Sequence, residues 1–384
     1  LIGVYQSIYL LSTGVSLREL ALFQVVFSLV SLFANIPIGV MCDRYGRKLL
    51  VIIGVLSTII FYLLCFFSPN FYFLVLAHIF YAVGICCVGN GIFGWMYSSI
   101  ENKEELARYS HIGQKITSIG SIITGLIGAI ILYYTKSYYV GYFVSIFFMS
   151  IILYIYMYIP TPIKAILPTE KKQSFLFKVK SVFPLINQST GGLYFIIITC
   201  LFTFGIQIIY HFWQPIMTYG MSTEAISKDK IFVLICCHIG AFLFQFLFNH
   251  ILPSFGVFTK KYMVSTIICG VLGGMFCILL LFKIQSSTAG YIGIFIYSLI
   301  HGTTSFLSIS TGGYYTFLLK KEYEKDISSI SSGVAIYARL AAVISLFLVS
   351  LFPSSIPVYY YLIIPAISFI LCGLISFKWF RSKN

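Results

Sequence analysis

Acidic residues are scarce in this chain. There are 11 Asp and Glu in 384 residues, charged residues of both signs make up only 9%, and no acid falls inside any of the long apolar runs. That excludes a buried carboxylate in mid-run, the usual place for a proton-carrying group or a cation's partner. Metal-ligand spacing of Cys and His is also lacking, as are a nucleophile–base cluster and a phosphate-binding glycine loop, so nothing points to an enzyme, a cofactor or a metal centre. The 10 Cys lie mostly within apolar runs; the adjacent pairs Cys86-Cys87 and Cys236-Cys237 cannot easily bridge each other and read as small packing residues. No cationic region or small-residue cleavage site precedes the first apolar run, so no secretory signal peptide is visible. The chain also begins at Leu1 without an initiator Met, from which a missing tail and missing first turns of helix 1 are expected.

Apolar residues are abundant instead. They make up 59% of the chain, with 37 Phe and 29 Tyr, a composition no soluble domain of this length carries. The runs predict an all-α membrane protein of twelve spans, at about 1–16, 20–41, 48–67, 71–98, 109–134, 138–159, 191–214, 230–250, 262–283, 289–318, 331–351 and 357–379. Most exceed the roughly 20 residues that cross a hydrocarbon core; the first does not. The longest polar connection, 161–190, interleaves Lys164, Lys171, Lys172, Lys178 and Lys180 with apolar residues and reads as a linker lying on the membrane surface. It separates a first half, 1–160, from a second, 191–384.

The formal charge of +14 is distributed in a way that argues for a bilayer rather than nucleic acid. With the connection between spans 2 and 3 on the cytoplasmic side, 19 of 25 Lys and Arg fall on that side and five opposite. This is the bias of an inner or plasma membrane protein with both termini cytoplasmic.

The connection between spans 2 and 3 reads Gly39-Val-Met-Cys-Asp43-Arg44-Tyr-Gly46-Arg47-Lys48. Its charges belong at a polar membrane face, and its glycines allow close backbone approach. It resembles the loop signature of the major facilitator superfamily of transporters, which lies between the second and third helices of that fold. The resemblance implies two six-helix pseudo-repeats that move a small molecule by alternating access, as a monomer. It further implies that Asp43 braces the start of helix 11, at Ser328, Ser329, Ser331 and Ser332. Arg44 and Arg47 should pair with Glu101 or Glu104, and Gly39, Gly46 and Lys48 complete the gating set. The proline motif of many drug/proton antiporters is absent from helix 5, which has Gly120, Gly125 and Gly128 but no Pro.

Two cations lie within spans. Arg339 is near mid-span 11 and Lys115 nearer the cytoplasmic end of span 5, its pseudo-symmetric partner. A central Arg is unfavourable by roughly 2.5–3.5 kcal/mol on insertion scales, so it needs a compensating role. The two can hold an anionic substrate between the halves; alternatively Arg339 bonds helix-end carbonyls or Tyr hydroxyls and Lys115 extends to the interface. With no acid available, proton coupling falls to His78, His211, His238 or His301, each of which also reads as a packing residue. Substrate contacts are expected from His211, Trp213 and Gln214, unless these form an interfacial belt, and from the amides Gln6, Gln207 and Asn90. Asn90, between Gly89 and Gly91, is expected to break helix 4. Together these predict a transporter of an anionic, polycarboxylate- or siderophore-like solute. The alternatives are multidrug efflux, or a non-transporting receptor or scaffold on the same fold.

Overall fold

The computed structural model describes residues 2–67, 70–99, 103–159, 190–221, 227–251, 259–286, 289–322 and 327–383; side chains near several helix ends, including those of Asp43, Arg44 and Lys115, lie outside the description. The described residues form twelve α-helices and no strand. These are α1 (Gln6–Ser12), α2 (Leu17–Tyr45), α3 (Arg47–Phe67), α4 (Phe71–Ser99), α5 (Lys103–Thr135) and α6 (Tyr138–Tyr158), then α7 (Thr190–Met217), α8 (Lys228–Ile251), α9 (Thr259–Ser286), α10 (Gly290–Glu322), α11 (Ile327–Ser350) and α12 (Ile363–Lys383). Nine of them carry a stretch long and apolar enough to cross a membrane. Large apolar side chains such as Phe67, Phe143 and Phe282 are exposed on the outside of the bundle, as lipid-facing surfaces require.

Several helix ends lie outside the apolar windows, for reasons of capping and polar turns. α2 begins three residues before its window because Ser16 and Glu19 close a capping box. Ser16 Oγ accepts from Glu19 N–H at 3.2 Å, and Glu19 Oε2 accepts from Ser16 N–H at 2.8 Å. α5 starts at Lys103 and α10 runs to Glu322, so polar turns extend these helices beyond the hydrocarbon. The ten-residue charged stretch is mostly helix: α2 runs through Asp43 and Arg44 to Tyr45, and α3 begins at Arg47. One residue makes the turn. Gly46 has φ +88°, and a Cβ there would meet nothing within 4 Å, so the glycine is needed for its backbone conformation and not for close approach.

Helix α4 is continuous through Gly89-Asn90-Gly91, which corrects the expected break. Gly91 serves packing: a Cβ would sit 3.1 Å from the Arg47 carbonyl of α3. α1 is the shortest helix, with seven residues preceded by a 3-10 turn at Ile2–Val4.

Contacts sort the helices into two sets. α2, α3, α4 and α6 pack together in the first, with α5 against α6, and α7 to α12 pack in the second, α8 against α10. The sets meet along three seams: α2 on α11, α5 on α8, and α1 on α7. The first two are equivalent under exchange of the sets, as a pair of pseudo-repeats requires.

Candidate functional site: a polar seam at mid-depth and a bonded end

Every acid in a described helix lies within three residues of an end: Glu19, Asp43, Glu104, Glu105, Asp229 and Glu322. Arg339 has the opposite placement, twelve residues after the first residue of α11 and eleven before the last. It is half-buried on the seam with the first set, within electrostatic reach of Cys86 on α4. No hydrogen bond or ion pair joins its guanidinium to another described residue. Beside it, two polar rungs tie α4 to α2. Cys86 Sγ donates to the Ser31 carbonyl at 3.7 Å; one turn on, Asn90 Nδ2 donates to Asn35 Oδ1 at 2.7 Å and to the Cys86 carbonyl at 2.8 Å. Asn35 went unnoticed in the sequence, where it is one amide in an apolar run. Its signal is the spacing: it lies four residues before Gly39, on the helix face that meets Asn90.

Lys115 lies just before the membrane-crossing stretch of its helix, Ile116–Thr135. α5 begins at Lys103, so Lys115 lies twelve residues in, the same offset as Arg339 in α11. Its side chain is outside the described residues, as are those of Asp43, Arg44, Glu104 and Ser328 to Ser332, so the expected brace and ion pairs fall there. Glu101 and the linker 161–189 lie there too. Lys48 is described. Its ammonium donates to the Met157 and Ile159 carbonyls at 2.9 and 2.7 Å, closing the C-terminal end of α6 within its own set. Gly39 makes only ordinary contact, a Cβ there being 3.9 Å from Asn90 Oδ1.

The amide and aromatic candidates separate. Gln207 and His211 pair one turn apart on α7 at 3.2 Å, and His211 stays half-buried. Gln6 opens α1, and its neighbour Ser7 makes the contacts of the seam. Trp213 is buried and stacks on Tyr297 of α10 with ring centroids 5.5 Å apart. Gln214 is 3% exposed and reaches across the sets. Its Oε1 accepts from the Ser7 and Ile8 N–H groups at 2.8 and 3.2 Å, and its Nε2 donates to the Gly3 carbonyl at 2.6 Å. Those two N–H groups are donors of α1's first turn that have no partner inside the helix. Tyr5, the N-cap, gives them no side-chain acceptor. A glutamine of the other set therefore caps α1.

Pro215 extends the same contact. It has no N–H to bond the His211 carbonyl four residues back, and Ser7 Oγ donates to that freed carbonyl at 3.3 Å. At the α5–α8 seam His238 does similar work: its Nε2 lies 3.0 Å from the Ser121 carbonyl, which can only accept, so Nε2 carries the proton. Its ring occupies the space where Gly125 lacks a side chain; a Cβ there would collide with the imidazole.

The remaining histidines are fixed by local bonds. His301 Nε2 pairs with the Tyr297 hydroxyl at 2.7 Å and its Nδ1 with Gln245 of α8 at 3.3 Å. His78 is 1% exposed, with Phe23 stacked on it at 5.2 Å and Phe61 edge-on at 5.8 Å. Its Nδ1 donates to the Leu74 carbonyl at 2.7 Å, leaving Nε2 as an unpartnered acceptor. Of the four, His78 alone combines complete burial with an unused ring nitrogen among the described residues.

The arrangement is a cationic, amide-flanked patch at mid-depth between two helix sets that are bonded to each other nearer one face. Comparison with solved structures gives the same architecture. The nucleoside transporter NupG covers 98% of this chain and 94% of its own at 13% identity and TM-score 0.73. FucP, a Major Facilitator Superfamily transporter in the outward conformation, covers 100% and 97% at 13% identity and TM-score 0.62. A variant of the E. coli fucose:proton symporter FucP covers 100% and 96% at 14% identity and TM-score 0.61. At these identities the likeness speaks for the fold. No curated protein matches the chain in sequence. The family model of the Major Facilitator Superfamily does match, over residues 1–321, and the chain belongs to that superfamily of membrane transporters.

Proposed function

We propose that the protein carries a small organic solute with at least one anionic group, polycarboxylate- or siderophore-like, by alternating exposure of a site between halves 1–160 and 191–384. The observation that carries this reading is Arg339: a permanent cation in mid-helix, on the seam between the sets, with no acid within the body of any described helix. Arg offers a planar fork that matches carboxylate or phosphate, and such charge-assisted bonds repay the cost of a cation at that depth. The Asn35–Asn90 pair supplies neutral donors and acceptors beside it, and Lys115 enters from the equivalent turn of α5. The face bearing the α2–α3 turn is cytoplasmic in this reading, in line with the distribution of Lys and Arg. Gln214 then holds the outer side closed, with His238 joining the sets at mid-depth, and Asp43 braces the inner side in the alternate state.

A second reading is transport of a neutral polyol. It rests on the amides Asn35, Asn90 and Gln207 and on the likeness to carriers named for nucleosides and fucose. Multidrug efflux of cations fits poorly, since a cation would meet Arg339 and no acid. Counterflow in proteoliposomes against a panel of di- and tricarboxylates, iron-chelating hydroxycarboxylates, nucleosides, sugars and lipophilic cations decides among them. The anion reading expects the carboxylates to exchange; preference for nucleosides or sugars would favour the second reading.

A further inference from the structure

We propose that the solute is a polyhydroxylated monocarboxylate, a sugar acid, selected by hydrogen-bonding groups that the Asn35–Asn90 pair leaves unspent. This rests on the anion reading of Arg339 and adds what the rest of the solute carries. Asn90 fixes the chemistry. The Cys86 carbonyl can only accept, so the Asn90 atom 2.8 Å from it is the nitrogen, Nδ2. The second hydrogen of Nδ2 goes to Asn35 Oδ1 at 2.7 Å. Asn90 Oδ1 remains as an acceptor and the Asn35 Nδ2 hydrogens as donors, and none of these has a partner among the described residues.

The spare groups face open space on the inner side of α2. Asn35 is exposed, and so is Phe33, at 61%. Residues two apart on a helix point about 200° apart. The Phe33 ring takes the lipid side of α2, and Asn35 takes the side where α4 and α11 pack. Gly39 lies one turn beyond Asn35. A Cβ there would meet only Asn90 Oδ1 among the described residues outside its own helix, at 3.9 Å, so that oxygen is open to a ligand atom.

Depth relates the pair to the cation. Cys86 is within electrostatic reach of Arg339, and Asn90 lies four residues further along α4, about 6 Å on the helix axis. A solute held by its carboxylate at Arg339 brings to the amides a group roughly four or five bonds along its carbon chain. That group must accept from Asn35 and donate to Asn90, and a hydroxyl does both. A second carboxylate can only accept, and would set its charge against the Asn90 oxygen. A methylene does neither and leaves both amides unpaired on burial. A neutral polyol satisfies the amides but leaves Arg339 without an anion. A six-carbon acid with one carboxylate and a chain of hydroxyls meets both demands.

The test is counterflow in proteoliposomes of three six-carbon probes. Gluconate has one carboxylate and hydroxyls, adipate two carboxylates and no hydroxyl, and sorbitol hydroxyls alone. Gluconate should exchange about tenfold or more faster than either of the others, the difference made by two neutral hydrogen bonds or one charged one. Asn35→Leu should slow gluconate about tenfold while the slower adipate exchange and the melting temperature stay at wild type. Asn35→Ala, which only removes the amide, should collapse the preference likewise, so a leucine that fails to fold does not decide the matter. Arg339→Gln should slow both acids. Adipate exchanging as fast as gluconate, or both acids slowed equally by loss of the Asn35 amide, would overturn the proposal and leave the anion reading standing. Fastest exchange of sorbitol, undiminished by Arg339→Gln, would overturn the anion reading itself. Exchange of none of the three would overturn the proposal.

Discussion

Gln214→Leu is the most informative perturbation of the contact between the sets. Leucine matches the glutamine's bulk but removes the acceptor of the Ser7 and Ile8 N–H groups and the donor to Gly3. A buried donor left without a partner costs about 1–3 kcal/mol, and two are orphaned here. Ser7 is only half-buried, so water relieves part of the loss, and about 2 kcal/mol against the joined state is a conservative figure. In the parted state the same N–H groups face water and the substitution costs nothing there. The equilibrium should therefore move about 30-fold toward parting. Thr218→Cys reports it, because Thr218 is 7% exposed and its thiol substitute reacts only when the sets separate. The labelling rate should rise by that factor in Gln214→Leu and by less in Gln214→Glu, which keeps the acceptor oxygen. An unchanged rate in a folded Gln214→Leu protein would refute the reasoning.

Three further outcomes follow from other contacts. Gly125→Ala places a methyl group against the His238 ring and should weaken the α5–α8 seam by about 1–3 kcal/mol in thermal melts, with His238→Ala in the same chain restoring most of it. Lys48→Ala removes two bonds to the end of α6 and should lower stability by about 1 kcal/mol, with Lys48→Arg close to wild type; altered access to the site without altered melting would make Lys48 a gate instead. His78→Leu removes a buried, unpartnered nitrogen, so melting should hold or rise; loss of proton-driven but not counterflow transport in that variant would identify His78 as the proton carrier.

The sequence was most legible where chemistry is one-dimensional. Apolar runs locate the helices, the charged stretch between spans 2 and 3 locates the turn, and the single mid-run arginine stands out against a chain without mid-run acids. Helix ends were less legible. Hydropathy marks the hydrocarbon, whereas capping by Ser16–Glu19 and polar turns such as that at Lys103 set where helices begin. The break expected at Asn90 failed for a related reason: flanking glycines suggested backbone freedom, but Gly91 serves a close approach to α3. The contact of α1 with the other set was not legible at all. Gln214 and Ser7 are 207 residues apart, and nothing in either neighbourhood says that one caps the other's helix. Trp213 and Gln214 read as ligand contacts because aromatic and amide groups suit ligands; in the fold one stacks on Tyr297 and the other joins α1.

The central claim is that Arg339 meets an anionic group of the substrate. Counterflow of the carboxylate that wild type exchanges fastest should be measured in proteoliposomes for wild type, Arg339→Lys and Arg339→Gln, with melting followed in parallel. A charge-assisted, two-pronged contact is worth about 1.5–3 kcal/mol, so Arg339→Gln should lose roughly 10- to 150-fold of its transport while its melting stays close to wild type. Arg339→Lys should fall between, because the charge remains and the fork is lost. Wild-type exchange of the anion by Arg339→Gln would contradict the account.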